Sequence, residues 1–120
     1  MSELENHPQP YTGIFVAYFS AQHGTTLGIV VLRENDFVGA DVGGAIYDGM
    51  FTVIEGRRAV GKVTITAREG GTLITGASSD LPVSFETPIE LDLPLDAKRF
   101  HRINTKTGPI NVRFEKLKDV

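Results

Sequence analysis

From Val83 to Leu93 the chain alternates apolar and polar side chains with almost no interruption. Val83, Phe85, Ile89, Leu91 and Leu93 share one face with Thr87, and Ser84, Glu86, Glu90 and Asp92 share the other. A period of two is the mark of a strand with one dry and one wet face. Pro88 lies on the wet face and lacks an N–H, which predicts a bulge or an unpaired edge there. The same pattern returns in "AVGKVTITAR", where Ala59, Gly61, Val63, Ile65 and Ala67 oppose Val60, Lys62, Thr64, Thr66 and Arg68. It returns again in "INVRFEKL", with Ile110, Val112 and Phe114 against Asn111, Arg113 and Glu115. No stretch carries helical periodicity over more than two turns.

The first two strands are different. "YTGIFVAYFS" (11–20) is apolar on both faces, and so is "TLGIVVLR" (26–33). A sheet with one face in water does not have this composition, so something covers the second face. With no helix to spare, a second copy of the chain is the expected cover. A homodimer through these strands follows.

The connections are short. "AQHGT" (21–25), "REND" (33–36), "EGRR" (55–58), "REGGT" (68–72) and "TKTGP" (105–109) have turn composition. "TLITG" (72–76) reads as a short strand, and "DAKRFHRI" (96–103) as a strand or one helical turn. The total is eight or nine strands. Such spacing without helices means a sandwich or an up-and-down barrel. The expected fold is an all-β, eight-stranded antiparallel barrel over 11–120, lipocalin-like in outline, preceded by a polar arm at 1–10. A closed barrel of eight strands has no long edges and an interior that holds side chains or one small ligand.

At 120 residues this is one domain, with an ordinary 41% of hydrophobic residues. It has no cysteine, which removes disulfides, thiolate metal sites and cysteine nucleophiles. "MSELENHPQPY" has neither the basic nor the apolar region of a signal peptide, and no apolar run is long enough for a membrane helix. A cytoplasmic protein is the expectation. Residues 98–120 carry seven Lys/Arg against two acids, while 1–97 carry five against thirteen. That basic end has the charge to meet phosphate or an acidic partner. It lacks the interleaved aromatics of nucleic-acid binders, so it is expected to be a solvated strand face.

Four glycines crowd "FVGADVGGAIYDGMF" (37–51). The run has no Lys-Ser/Thr pair and leads into a strand, so it is not a phosphate loop. Gly39, Gly43 and Gly44 are expected to bend a hairpin, and Gly49 to keep the next strand slim. His7, His23 and His101 have no metal-ligand spacing and are expected to be solvated. Asp36 and Asp41 sit in turn contexts, where Asp bonds the backbone. Ser78 and Ser79 lack a nucleophile elbow. No catalytic residue, metal or cofactor is expected.

The first half of the chain resembles the GrlR family of small bacterial regulators. The matching positions are Gly13, Ile14, Phe15, Gly28, Gly39, Asp41, Tyr47 and Gly49, and the likeness covers residues 11–52. The resemblance implies an eight-stranded, lipocalin-like barrel that dimerises. It also implies a regulator that sequesters a transcriptional activator of type III secretion genes, through an acidic Glu-Asp-Glu-Asp loop after the Tyr-x-Gly strand. The corresponding stretch here is "TVIEGRR" (52–58), with Glu55 as its one acid, followed by Arg57 and Arg58. The fold carries over and that basic partner does not. The candidate partner-binding residues are Glu55, Gly56, Arg57 and Arg58. The other function the sequence leaves open is a carrier or sensor of a small apolar ligand, with Phe15, Phe19, Phe85 and Phe114 lining the interior.

Overall fold

The computed structural model describes residues 11–22, 24–67 and 83–120. Several sequence expectations fall outside them: the arm at 1–10 with His7, His23, the turn at 68–72, the short strand at 72–76, and Ser78 with Ser79. The side chain of Val83 is outside them too.

The described residues form eight strands: β1 (Gly13–Ala21), β2 (Gly24–Leu32), β3 (Asp36–Asp41), β4 (Ala45–Ile54), β5 (Arg58–Ala67), β6 (Val83–Asp92), β7 (His101–Thr105) and β8 (Gly108–Lys118). All pairings are antiparallel, in the order β6-β5-β4-β3-β2-β1-β8-β7. This is an up-and-down meander that rolls up and nearly closes, because β6 and β7 meet without a hydrogen-bonded ladder between them. The expected all-β, lipocalin-like barrel is the fold. The hairpin turn between β4 and β5 marks one end, called the tip end below.

The inward set follows the period-two faces. Phe15, Ala17 and Phe19 from β1, Val63 and Ile65 from β5, and Val112 and Phe114 from β8 are all buried in one core. Burying a large apolar side chain fully contributes about 1.5–3 kcal/mol. Phe15 and Phe114 meet edge to face at 6.3 Å, and Phe19 stacks on Tyr47 at 5.4 Å.

Of the two outcomes expected at Pro88, the structure has the unpaired edge: β5 and β6 pair without a shift from Arg58↔Asp92 to Ala67↔Val83, and β6 ends the ladder among the described residues. Two other expectations are corrected. Gly39 is not part of the hairpin bend but lies within β3, opposite Tyr47. The turn itself uses Gly43 and Gly44, with Gly44 at φ 94° and its N–H donating to the carbonyl of Asp41 at 3.1 Å. His101 is not solvated: it starts β7 pointing inward and is 6% exposed. The stretch 96–103 divides between the two forms expected of it. Arg99 N–H closes a turn on the Asp96 carbonyl, and the strand begins two residues later.

Candidate functional site

The barrel offers three places where function can reside: the tip, the interior and the outer surface.

At the tip, Glu55 and Gly56 both take left-handed backbone, φ 53° and 68°, and Arg57 N–H donates to Ile54 O at 3.0 Å. Two consecutive positive φ values make a turn of the primed type, whose twist matches a hairpin. Arg57 Nη2 donates to Glu55 Oε2 at 2.9 Å, and Arg58 Nη1 donates to Glu90 Oε1 of β6 at 2.7 Å. Both pairs are largely exposed, where such pairs contribute less than about 1 kcal/mol. Arg57, Arg58 and Arg99 surround one shallow depression with Glu55 and Asp92. The tip thus holds the candidate residues Glu55, Gly56, Arg57 and Arg58 together. Arg57 is matched by Glu55 within the tip and Arg58 by Glu90 of β6, and the second of these acids is not contained in the stretch 52–58.

Inside, the walls of the central cavity are wholly apolar and its volume is about 60 Å³. An apolar cavity of about 150 Å³ is what it takes to hold a benzene-sized guest. Phe19 and Phe114 line the cavity, whereas Phe15 and Phe85 are packed into the core beside it. The barrel interior is therefore mostly filled by its own side chains. Two polar atoms are buried there without a partner among the described residues, Thr87 Oγ1 and His101 Nε2. Burial holds the His101 imidazole below its ordinary value; Asp92 opposes this and Arg99 adds to it. Asp41 and Tyr47 form a paired buried group near the far end. Tyr47 OH donates to Asp41 Oδ2 at 2.5 Å, and Ala45 N–H donates to Oδ1 at 3.1 Å. Burial first, and then the bond to Asp41, push the Tyr47 phenol far above its ordinary value. No group of three or more His, Asp or Glu among the described residues is placed to hold a metal ion.

Outside, the register aligns apolar residues into rows that cross the strands. Val16, Ile29, Ala40 and Ile46 form one row over β1–β4, and Ile14, Val31 and Val38 form the next. Ile29, Val38 and Ile46 are each at least 40% exposed, and Met50 beside them is 70% exposed. Contiguous apolar surface of this kind marks an interaction site in soluble proteins. The β1 and β2 members follow from the two-faced strands. Val38, Ile46 and Met50 were missed because "FVGADVGGAIYDGMF" looks like turn sequence. The available signal was parity: Gly39 and Gly49 face inward, which turns Val38, Ile46 and Met50 out.

Comparisons with family profiles, with curated proteins and with solved structures gave no match.

Proposed function

We propose that this chain is a non-enzymatic, protein-binding barrel that works as a cytoplasmic homodimer, a regulator of the type that the GrlR resemblance implies. The observation that carries this reading is the outer apolar face of β1–β4. In a barrel those residues have no core of their own to enter, and their exposure is relieved only by another molecule. A second copy supplies a matching face by two-fold symmetry. The captured partner differs from one held by an acidic loop, because the tip pairs each arginine with an acid. The wholly apolar cavity supports the carrier reading as a second one, for a guest that widens the barrel on entry.

Native mass spectrometry tests both at once. The wild type is expected as a dimer at micromolar concentration without a retained ligand. Ile29→Glu places a charge in the middle of the face and is expected to weaken dimerisation at least about 100-fold while the melting temperature of the monomer stays unchanged. A wild-type monomer overturns the dimer, and a stoichiometric lipophilic guest favours the carrier. Pull-down from the native lysate with wild type and with Arg57→Glu/Arg58→Glu then shows whether a captured protein depends on the tip.

A further inference from the structure

Beside the apolar face lies a surface groove of about 510 Å³, at the ends of β1 and β2 away from the tip. Its floor is one row of neighbours running across five segments of chain. Phe100, which precedes β7, is followed by Arg113 of β8, Tyr18 of β1, Leu27 of β2 and Val42 after β3. The row joins two kinds of chemistry. Phe100 is 58% exposed, Val42 75% and Leu27 45%, so three apolar side chains stand in water around one depression. Between them the Arg113 guanidinium sits over the Tyr18 ring, its central carbon 4.0 Å from the ring centre. Tyr18 is itself held, since its OH donates to Glu115 Oε2 at 3.2 Å. Arg113 Nη1 donates to the Ala97 carbonyl at 3.3 Å, and among the described residues no carboxylate pairs with it. An Arg offers five N–H donors in a planar fork, so most of them remain available. Arg102 follows in the next outward row, which runs Arg102–Asn111–Ser20 over β7, β8 and β1, with Ser20 on the groove wall.

We propose that this groove seats an acidic segment of a partner protein, with a carboxylate on Arg113 and apolar side chains against Phe100, Leu27 and Val42. The inference rests on the protein-binding reading above and moves the contact from the tip to the groove. A guanidinium stacked on an aromatic ring is held in place before binding, and so is ready for a bidentate carboxylate. Arg and aromatic residues clustered in one depression are also the composition of interface hot spots. The exposed apolar flanks explain why the occupant is a peptide: a phosphate backbone has nothing to place on Leu27 and Val42.

An amide-resolved NMR titration of the isotope-labelled full chain tests this. The probe is a ten-residue peptide alternating Asp or Glu with Leu or Phe. Controls replace its acids with Lys, or its apolar residues with Ser, and a 20-nucleotide DNA strand is titrated alongside. Saturable shifts at Tyr18, Leu27, Val42, Phe100 and Arg113 with the acidic–apolar peptide are expected, and both control peptides are expected to bind at least about tenfold more weakly. Phe100→Ser and Arg113→Gln are each expected to weaken binding by about tenfold or more. Phe100 is exposed, so its variant keeps the fold even where the Arg113 variant does not. No shifts at millimolar peptide, shifts confined to Glu55–Arg58, equal binding of the lysine peptide, or tighter binding of DNA would each overturn the proposal. A protein captured from lysate whose binding survives Phe100→Ser leaves the regulator reading standing and removes only the groove. A protein with no lysate partner that still binds the acidic–apolar peptide has the opposite outcome.

Discussion

At the scale of single residues, the buried polar groups are where this barrel departs most from its sequence pattern. Asp41 looks like a turn residue, and it does accept the Ala45 N–H across the turn. Its other oxygen is held by Tyr47, a contact that depends on both side chains pointing into the barrel. Tyr47→Phe removes that donor and leaves a buried carboxylate short of a partner. The expected loss is about 1.5–3 kcal/mol in urea unfolding, and a change below about 0.5 kcal/mol would show that water replaces the phenol. His101 was illegible for a different reason. It stands among Lys98, Arg99, Phe100 and Arg102, and inward parity in a five-residue strand is defined only once its start is known. Its burial has a pH consequence with a definite sign. The folded imidazole has a pKa below the unfolded value of 6.5, so the unfolded chain binds the proton more tightly. Stability is fully present above the unfolded value and declines as pH falls below it. The urea midpoint is therefore expected to drop between pH 7.5 and pH 5.5, and His101→Leu to flatten that slope. A wild-type midpoint that does not fall on acidification refutes the assignment.

At the scale of strands, the period-two pattern placed the correct face inward in β5, β6 and β8, whereas β1 is apolar on both faces and its inward face is set by the barrel. What the pattern does not encode is curvature. Four consecutive strands each place one glycine inside the barrel: Gly28 in β2, Gly39 in β3, Gly49 in β4 and Gly61 in β5. The register steps them by two residues per strand. Val30 faces Gly39, Phe37 faces Gly49, and Phe51 faces Gly61, so the glycines trace a diagonal towards the tip. A Cβ at Gly61 would collide with the Met50 carbonyl, and one at Gly49 with the Phe37 ring and the Lys62 carbonyl. Glycines on the inner face at such close approaches are what lets a sheet bend, and a diagonal of them is the means by which a meander rolls up. What looked like hairpin chemistry at Gly39 is part of that bend. Gly61→Ala is expected to cost about 2–3 kcal/mol or to prevent folding, because backbone rather than a flexible side chain must move. Gly56→Asn at the tip is expected to cost only about 0.5–1 kcal/mol, since φ 68° suits Asn and nothing stands near its Cβ. Thermal unfolding of the two variants side by side decides this, and equal losses would refute the bend as the reason for Gly61.

At the scale of the whole molecule, the class of fold was legible because alternation, short turns and the absence of helical periodicity agree. The surfaces were less so, because a surface is assembled from residues that only the register brings together. Arg58 meets Glu90, and Phe100 joins a row with Arg113, Tyr18 and Leu27, across separations that no local pattern spans. The closure of the barrel is a property of this same scale. Among the described residues seven strand pairs have ladders, but β6 and β7 touch without one, and β7 is five residues long. Without a ladder among the described residues, this seam is the least costly place to open. β6 carries Pro88, a residue suited to an edge, and the two buried polar atoms without partners, on Thr87 and His101, belong to these same two strands. Both facts lower the stability of the seam relative to the opposite side, where β1 is paired along its length with β2 and β8. Amide exchange is therefore expected to be graded around the barrel. The amides of β7, and those of β6 not bonded to β5, should exchange at least about tenfold faster than the bonded amides of β1, β2 and β4. Exchange from the seam should also have little denaturant dependence, because it needs only local opening, whereas β1 should follow global unfolding. Uniform protection with one common denaturant slope would mean that the barrel opens only as a whole, and that no guest can enter its 60 Å³ interior without unfolding it.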